Sequence, residues 1–209
     1  MNQLLSKLIF FVIVTAVSVS VTFQSAWASA NLPALQTVDS VDLSKYAGLW
    51  YEVIHLPSRL QEGCQDSTAT FSLRNDGEID ILNSCRDKHD GSLHHTNGRG
   101  WSIDKSHNAR LMFSFFWPFR SEYLIIDQGK EYEYSVICTP DRKRLWVISR
   151  TPKLNGDVFE SILQHLEKQG FNRDSFVKTE QGKHFTPPSP QMTLTDHSPK
   201  NNAELKNGF

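Results

Sequence analysis

The sequence predicts an all-β domain, either a sandwich or an up-and-down barrel, followed by one amphipathic helix. Three observations predict it. Runs of alternating apolar and polar residues recur roughly every ten residues between Leu49 and Arg150. The links between them are short and rich in Gly, Asp, Asn and Pro, with Asn75-Asp76-Gly77 as the strongest hairpin signal. After Thr151-Pro152 the period changes to that of a helix.

The chain is organised around LSKYAGLWYEVI, from Leu43 to Ile54. A turn of helix is expected first, then a kink at Gly48, where glycine supplies the unusual φ. A strand runs on from Leu49. It places Trp50, Glu52 and Ile54 on one face and Tyr51 and Val53 on the other. A large indole at the first inward position would floor a closed sheet. A loop from His55 to Asp66 follows. TATFSLR turns Ala69, Phe71 and Leu73 to one face, and EIDILNSC returns with Ile79, Ile81 and Asn83 inward. A polar turn, 87–91, leads to a strand ending near Trp101.

ARLMFSFF aligns Leu111, Phe113 and Phe115, and Trp117-Pro118-Phe119 breaks it. EYLIID, EYEYSVIC and RLWVISR complete eight strands. From Asp157 to Gln169, Val158, Ile162 and Leu166 recur at helical spacing. Asn155 or Asp157 is the expected cap and Gly170 the stop. That stripe is expected to pack against the outside of the sheet. Residues 176–179 are a candidate extra strand. Residues 182–209 are rich in Pro, Ser, Asn and Lys without apolar period, which predicts a disordered tail.

At 209 residues the chain allows one moderate domain plus extensions. Its net charge of −1, from 22 basic and 23 acidic residues with no basic stripe, gives no support to a nucleic-acid partner. Lys7, the apolar run LIFFVIVTAVSVSVTF and the Ala-x-Ala at 28–30 describe a signal peptide over residues 1–30, with an uncleaved anchor as the alternative. Residues 31–40 form a polar leader, and the domain is expected over 41–181. No cysteine follows the apolar run, so the mature protein is expected to be periplasmic or secreted without a lipid anchor. Cys64, Cys85 and Cys138 allow one internal bridge and leave one thiol over. Their surroundings lack the His and Cys spacing of a structural zinc site, and no metal or cofactor is expected.

GLWYEV at Gly48–Val53, the partial DQGKEY at Asp127–Tyr132 and LWVISRTP with Arg150 resemble, in order, the three motifs of the lipocalin family. The second is usually Thr-Asp-Tyr and is matched only in part. TATFSLRNDG, SFFWPF and the helix with KQGF look closest to the bacterial lipocalin and apolipoprotein D branch. The resemblance implies an eight-stranded antiparallel up-and-down β-barrel with the helix packed outside. It also implies that Gly48, Trp50, Asp127, Tyr132 and Arg150 are structural, with Arg150 lying over Trp50 as a cation–π contact.

It implies, further, a small hydrophobic ligand in the barrel, a fatty acid or lysophospholipid, carried for envelope lipid maintenance or stress tolerance. The membrane would serve only as the lipid source. With Trp50 and Trp146 inward, strand parity nominates Ile54, Phe71, Ile81, Asn83, Phe113, Phe115, Leu124, Ser135, Ile137 and Ile148 as lining. His55, Arg59, Arg86, Arg120 and Glu122 are headgroup candidates near the expected open end. On the same map Cys64 and Cys85 fall about a diagonal step apart on neighbouring strands, which favours that bridge over Cys64–Cys138. Cys138 would be free and outward-facing.

The chain carries no Gly-x-Ser-x-Gly, His-Glu-x-x-His or phosphate loop, and adjacent His94 and His95 would point to opposite faces of a strand. A carrier rather than an enzyme is expected. The alternatives are a pigment or isoprenoid carrier, an isomerase using Cys138, or an interaction module with a filled barrel. The expected state is a monomer, or a homodimer through Trp117 and Phe119.

Overall fold

The computed structural model describes residues 32–182. The expected signal peptide and the tail beyond Gly182 lie outside the described residues. Asp42 opens the first regular element: its carboxylate accepts from the backbone N–H groups of Ser44 and Lys45 and caps α1 (Leu43–Tyr46). Gly48 follows at a φ of 105°, and a Cβ there would meet the Arg150 guanidinium at 3.2 Å. The kink into β1 (Gly48–His55) therefore selects glycine.

Seven strands then alternate in direction: β2 (Cys64–Leu73), β3 (Ile79–Asp87), β4 (Leu93–Ser102), β5 (Arg110–Phe116), β6 (Phe119–Gln128), β7 (Tyr134–Cys138) and β8 (Leu145–Ser149). Each pairs antiparallel with the next, and β1 pairs with both β2 and β8, so the sheet closes on itself. A barrel, not a sandwich, is the result. β6 begins three residues before the expected Glu122, because Phe116 and Phe119 pair across a tight turn at Trp117-Pro118. β7 begins at Tyr134 rather than Glu131, because residues 129–133 form a turn with Tyr132 at a φ of 59°.

α2 (Gly156–Lys168) is capped by Asn155, whose side-chain oxygen accepts from the Asp157 N–H, and Gly170 at a φ of 86° ends it. β9 (Val177–Lys178) pairs with the upper end of β1. The leader is docked rather than loose. The Val38 N–H donates to the Ile125 carbonyl, and Val41 is buried.

Two apolar layers result. The inner one gathers Tyr46, Trp50, Phe71, Ile81, Leu111, Phe113, Tyr123, Ile125, Ile137 and Ile148 inside the barrel. The outer one packs Val53, Ile54, Leu124, Ile126, Val136, Cys138, Leu145 and Val147 against Ile162, Leu163 and Leu166 of α2. Strands β6, β7, β8 and the upper half of β1 are thus buried on both faces.

Candidate ligand-binding site

The closed end is built first. The Trp50 indole is fully buried and donates through Nε1 to the Tyr46 carbonyl at 2.8 Å. The Arg150 guanidinium lies 3.7 Å over the Trp50 ring. It donates to the carbonyls of Leu49 (2.9 Å), Lys45 (2.6 Å), Ala47 (3.0 Å), Tyr46 (3.2 Å) and Tyr132 (3.3 Å). One planar fork therefore ties α1, the start of β1 and the β6–β7 turn together. Tyr132 adds its hydroxyl as acceptor for the Asp42 N–H, and Asp127 accepts from the Tyr134 hydroxyl at 3.2 Å. The partial second motif performs structural work even without the usual residues. The Tyr46 hydroxyl donates to Ser135 Oγ, and burial raises its pKa well above the ordinary tyrosine value.

Above this floor the barrel encloses a cavity of about 700 Å³, within the range of small-molecule sites. Phe71, Ile81, Phe113, Phe115, Ile137 and Ile148 line it, as does Asn83. Gly98 and Gly100 on β4 make room for two of these rings. A Cβ would come within 2.5 Å of the Phe115 ring at Gly98 and 2.7 Å of the Phe113 ring at Gly100. At the open rim stand Arg120 and Arg144, and Arg144 also bonds the hydroxyl of Tyr123. Burial raises the Tyr123 pKa, with that bond opposing it. Phe116, Trp117 and Phe119 project beside the opening, Trp117 with 90% of its surface exposed.

The other nominated residues lie elsewhere. Ile54 and Leu124 face outward into the layer under α2. A bulge between Glu52 and Ile54 breaks the alternation that had put Ile54 inside. Leu124 is one residue out of phase: Tyr123 pairs with Leu111 on the inner face, and Leu124 pairs with Arg110 on the outer. The same phase turns Glu122 outward, where its carboxylate pairs with Arg110 at 2.6 Å. Ser135 points inward but is consumed by Tyr46 beneath the cavity. Arg86 reaches the Asp66 carboxylate and the Gly91 carbonyl, not the cavity. Arg59 and His55 line a second hollow of about 570 Å³ outside the barrel, beside β9.

Strand parity passed over Glu52, Gln61, Ser67, Tyr123 and Arg144, all of which line the cavity. Glu52 shares the Trp50 face and was legible there. Gln61 was not, because it arrives on a turn of 3₁₀ helix, Arg59–Gln61, that folds back over the mouth. Its side chain donates to Glu52 Oε2 at 2.6 Å and accepts from Trp146 Nε1 at 2.9 Å. β1 and β2 pair only from Gly48 to Tyr51. Above that, the chain after β9 closes the seam: Thr179 N–H donates to Val53 O, and Gln181 Nε2 to the carbonyls of Glu52 and Ser67.

Cys64 and Cys85 form a disulfide at a Cα–Cα distance of 5.5 Å, on the diagonal set by the Cys64–Asp87 pair. It braces the mouth. Cys138 is free and lies fully buried in the outer layer, where burial pushes its thiol up to about 12. Among the described residues no cluster of His, Cys, Asp and Glu could hold a metal ion.

Comparison with known proteins agrees with this geometry. Residues 41–181 match the family model described as a lipocalin-like domain. The chain is 33% identical to the outer membrane lipoprotein Blc of Escherichia coli K12 over 144 residues, 69% of this chain and 81% of that protein. It is 28% identical to temperature-induced lipocalin-1 of Arabidopsis thaliana (78% and 90% covered) and 24% to mouse apolipoprotein D (71% and 82%). Insecticyanin from the tobacco hornworm superposes with a TM-score of 0.60 at 18% identity, covering 73% of this chain and 87% of that one. The chain belongs to the lipocalin family, whose members bind small hydrophobic molecules.

Proposed function

We propose that this lipocalin is exported and carries a single-chain amphiphile, a fatty acid or lysophospholipid, in envelope lipid maintenance. The carrying observation is an open cavity of about 700 Å³ whose walls are apolar below and bear two arginines at the rim. A tail of ~14 methylenes at ~0.8 kcal/mol each contributes up to ~11 kcal/mol gross, before the cost of association. Arg120 and Arg144 then meet an anionic head at the mouth, where a charge-assisted hydrogen bond is strong and the head stays near water. The rim aromatics stand where a membrane would offer lipid to the opening.

Export rests on the signal peptide expected over residues 1–30 and on the outer-membrane and apolipoprotein names of the relatives. A carrier is favoured over an isomerase because the Cys138 thiol sits outside the barrel wall under α2, away from the cavity. The aromatic lining of Phe71, Phe113, Phe115, Tyr123 and Trp146 is the feature that would suit a pigment or isoprenoid instead.

Native mass spectrometry of protein from its own host, followed by lipid extraction, tests the reading. A fatty-acid or lysophospholipid mass supports it, and a coloured or isoprenoid mass replaces it with the second. A protein that flies empty and takes up no fluorescent fatty acid is a filled barrel, and the carrier role is dropped. In the loaded protein, Arg144→Glu should weaken an anionic single-chain lipid about tenfold and a neutral one less than twofold.

A further inference from the structure

The four most exposed large apolar side chains among the described residues all stand at the open end of the barrel. They are Trp117 (90%), Leu60 (80%), Phe119 (76%) and Phe116 (68%). Apolar surface gathered in this way marks a place where a second apolar phase meets the protein. Leu60, Phe116 and Phe119 also line the cavity, so the tips and the mouth share one apolar surface.

Topology sets these residues on opposite sides of the opening. Leu60 lies on the link between β1 and β2, and the three aromatics lie on the tight turn between β5 and β6. The eight strands follow one another around the barrel and β8 returns to β1. The two links are therefore four strands apart and face each other across the mouth. The other two links at this end, 88–92 and 139–144, carry no large apolar side chain. Their acids are occupied locally: Asp90 accepts from the Ser92 N–H and Asp141 from the Lys143 N–H. Apolar tips occupy one diagonal of the mouth and polar turns the other. A flat surface resting on both tips faces the opening.

Each tip also carries a cation. Arg59 precedes Leu60 and Arg120 follows Phe119; both are exposed, and neither has an ion-pair partner among the described residues. Glu62 is the single carboxylate on either link. A long arginine stem lets the guanidinium stay among headgroups while its apolar neighbour enters the acyl boundary. An indole favours that same boundary.

We propose that the open end docks on an anionic phospholipid bilayer, with Leu60 and the Phe116–Phe119 turn as two feet that straddle the mouth. Lipid phosphates neutralise Arg59 and Arg120, and the bilayer presents its own lipid to the opening between the feet. A second copy of this chain fits the same face less well. Docked mouth to mouth, it would bring foot against foot, and so arginine beside arginine, and would seal both cavities. The membrane is then a docking partner of the carrier as well as its lipid source.

This rests on the carrier reading for its purpose, and the test separates the two. The protein is sedimented with vesicles of phosphatidylcholine and phosphatidylglycerol, about two to one, and with vesicles of phosphatidylcholine alone. The native protein should pellet with the mixed vesicles and bind the neutral ones about tenfold more weakly. Trp117→Ser should weaken binding to the mixed vesicles about tenfold. Its melting temperature should not change, and its affinity for a fluorescent fatty acid in solution should stay within about twofold, because the indole is exposed and does not line the cavity. Leu60→Ser, on the opposite foot, should weaken vesicle binding about fivefold. Arg59→Gln combined with Arg120→Gln should remove the preference for anionic vesicles. A native protein that stays in the supernatant with both vesicles, or Trp117→Ser and Leu60→Ser variants that pellet as well as the native protein, overturns the docking and leaves the carrier intact. A dimer that forms without vesicles and is lost in Trp117→Ser gives this face to a second copy and overturns it too. Vesicle binding by a protein that takes up no fluorescent fatty acid overturns the carrier and leaves the docking.

Discussion

Replacing Arg150 by leucine should cost the fold about 3 kcal/mol. The guanidinium donates to five carbonyls and covers the Trp50 ring at 3.7 Å. A hydrogen bond from a charged donor contributes about 1.5–3 kcal/mol, but five bonds from one half-buried group do not add. Water can also reach the carbonyls nearest the surface once the side chain is gone. Counting two such bonds at the low end, plus about 1 kcal/mol for the cation–π contact, gives about 4 kcal/mol. Roughly 1 kcal/mol is recovered from the ordering of the arginine side chain itself. With a urea slope of about 2 kcal/mol/M, the midpoint should fall by about 1.5 M.

Urea titration followed by Trp fluorescence reads this directly, with Trp50 among the reporters. Arg150→Lys is the discriminating control. It keeps the charge, but one ammonium cannot span carbonyls on α1, β1 and the β6–β7 turn, so about 2 kcal/mol should still be lost. A loss below 1 kcal/mol for the leucine variant, or a lysine variant as stable as the native protein, would refute the view that a planar fork pins the closed end.

The disulfide and the buried acids of the outer layer can be tested in the same way. Cys85→Ser opens the 21-residue loop to Cys64 and should lower stability by about 3 kcal/mol, with an unfolding midpoint that no longer responds to reductant. At high pH, Cys138 and Tyr134 are both held near 12, mainly by burial, against 9.0 and 10.0 for the free groups. Both raised values mean the folded state retains protons the unfolded chain releases. The stability they contribute is complete below about pH 9 and is lost as pH rises toward 12. Urea midpoints between pH 8 and 11 should therefore fall, and fall less steeply in Cys138→Ala. A midpoint flat across that range would contradict the burial assigned to the thiol.

Where one face of a strand meets solvent, the sequence by itself determined the result. The alternation in β2 to β5, the Asn75–Gly77 turn and the Gly48–Trp50 start were legible because each local pattern has one low-energy solution. So were the helix, a cap at Asn155 or Asp157, the Cys64–Cys85 diagonal and most of the apolar cavity floor; the fold chose Asn155. The order of three short motifs then turned an all-β pattern into a particular barrel.

Tertiary structure decided the rest. Leu124 and Ile54 could not be placed from parity, because α2 covers the outside of β6 to β1 and makes both faces apolar. One bulge after Glu52 was enough to reverse the upper end of β1. Gln61 and Gln181 reach Glu52 from segments 9 and 129 residues away in the chain, so the polar wall exists only once the seam is closed. A hydrophobic pattern repeats along the chain and can be read from it. A binding wall assembled across a gap between two strands has no period, and only the folded backbone brings its members together.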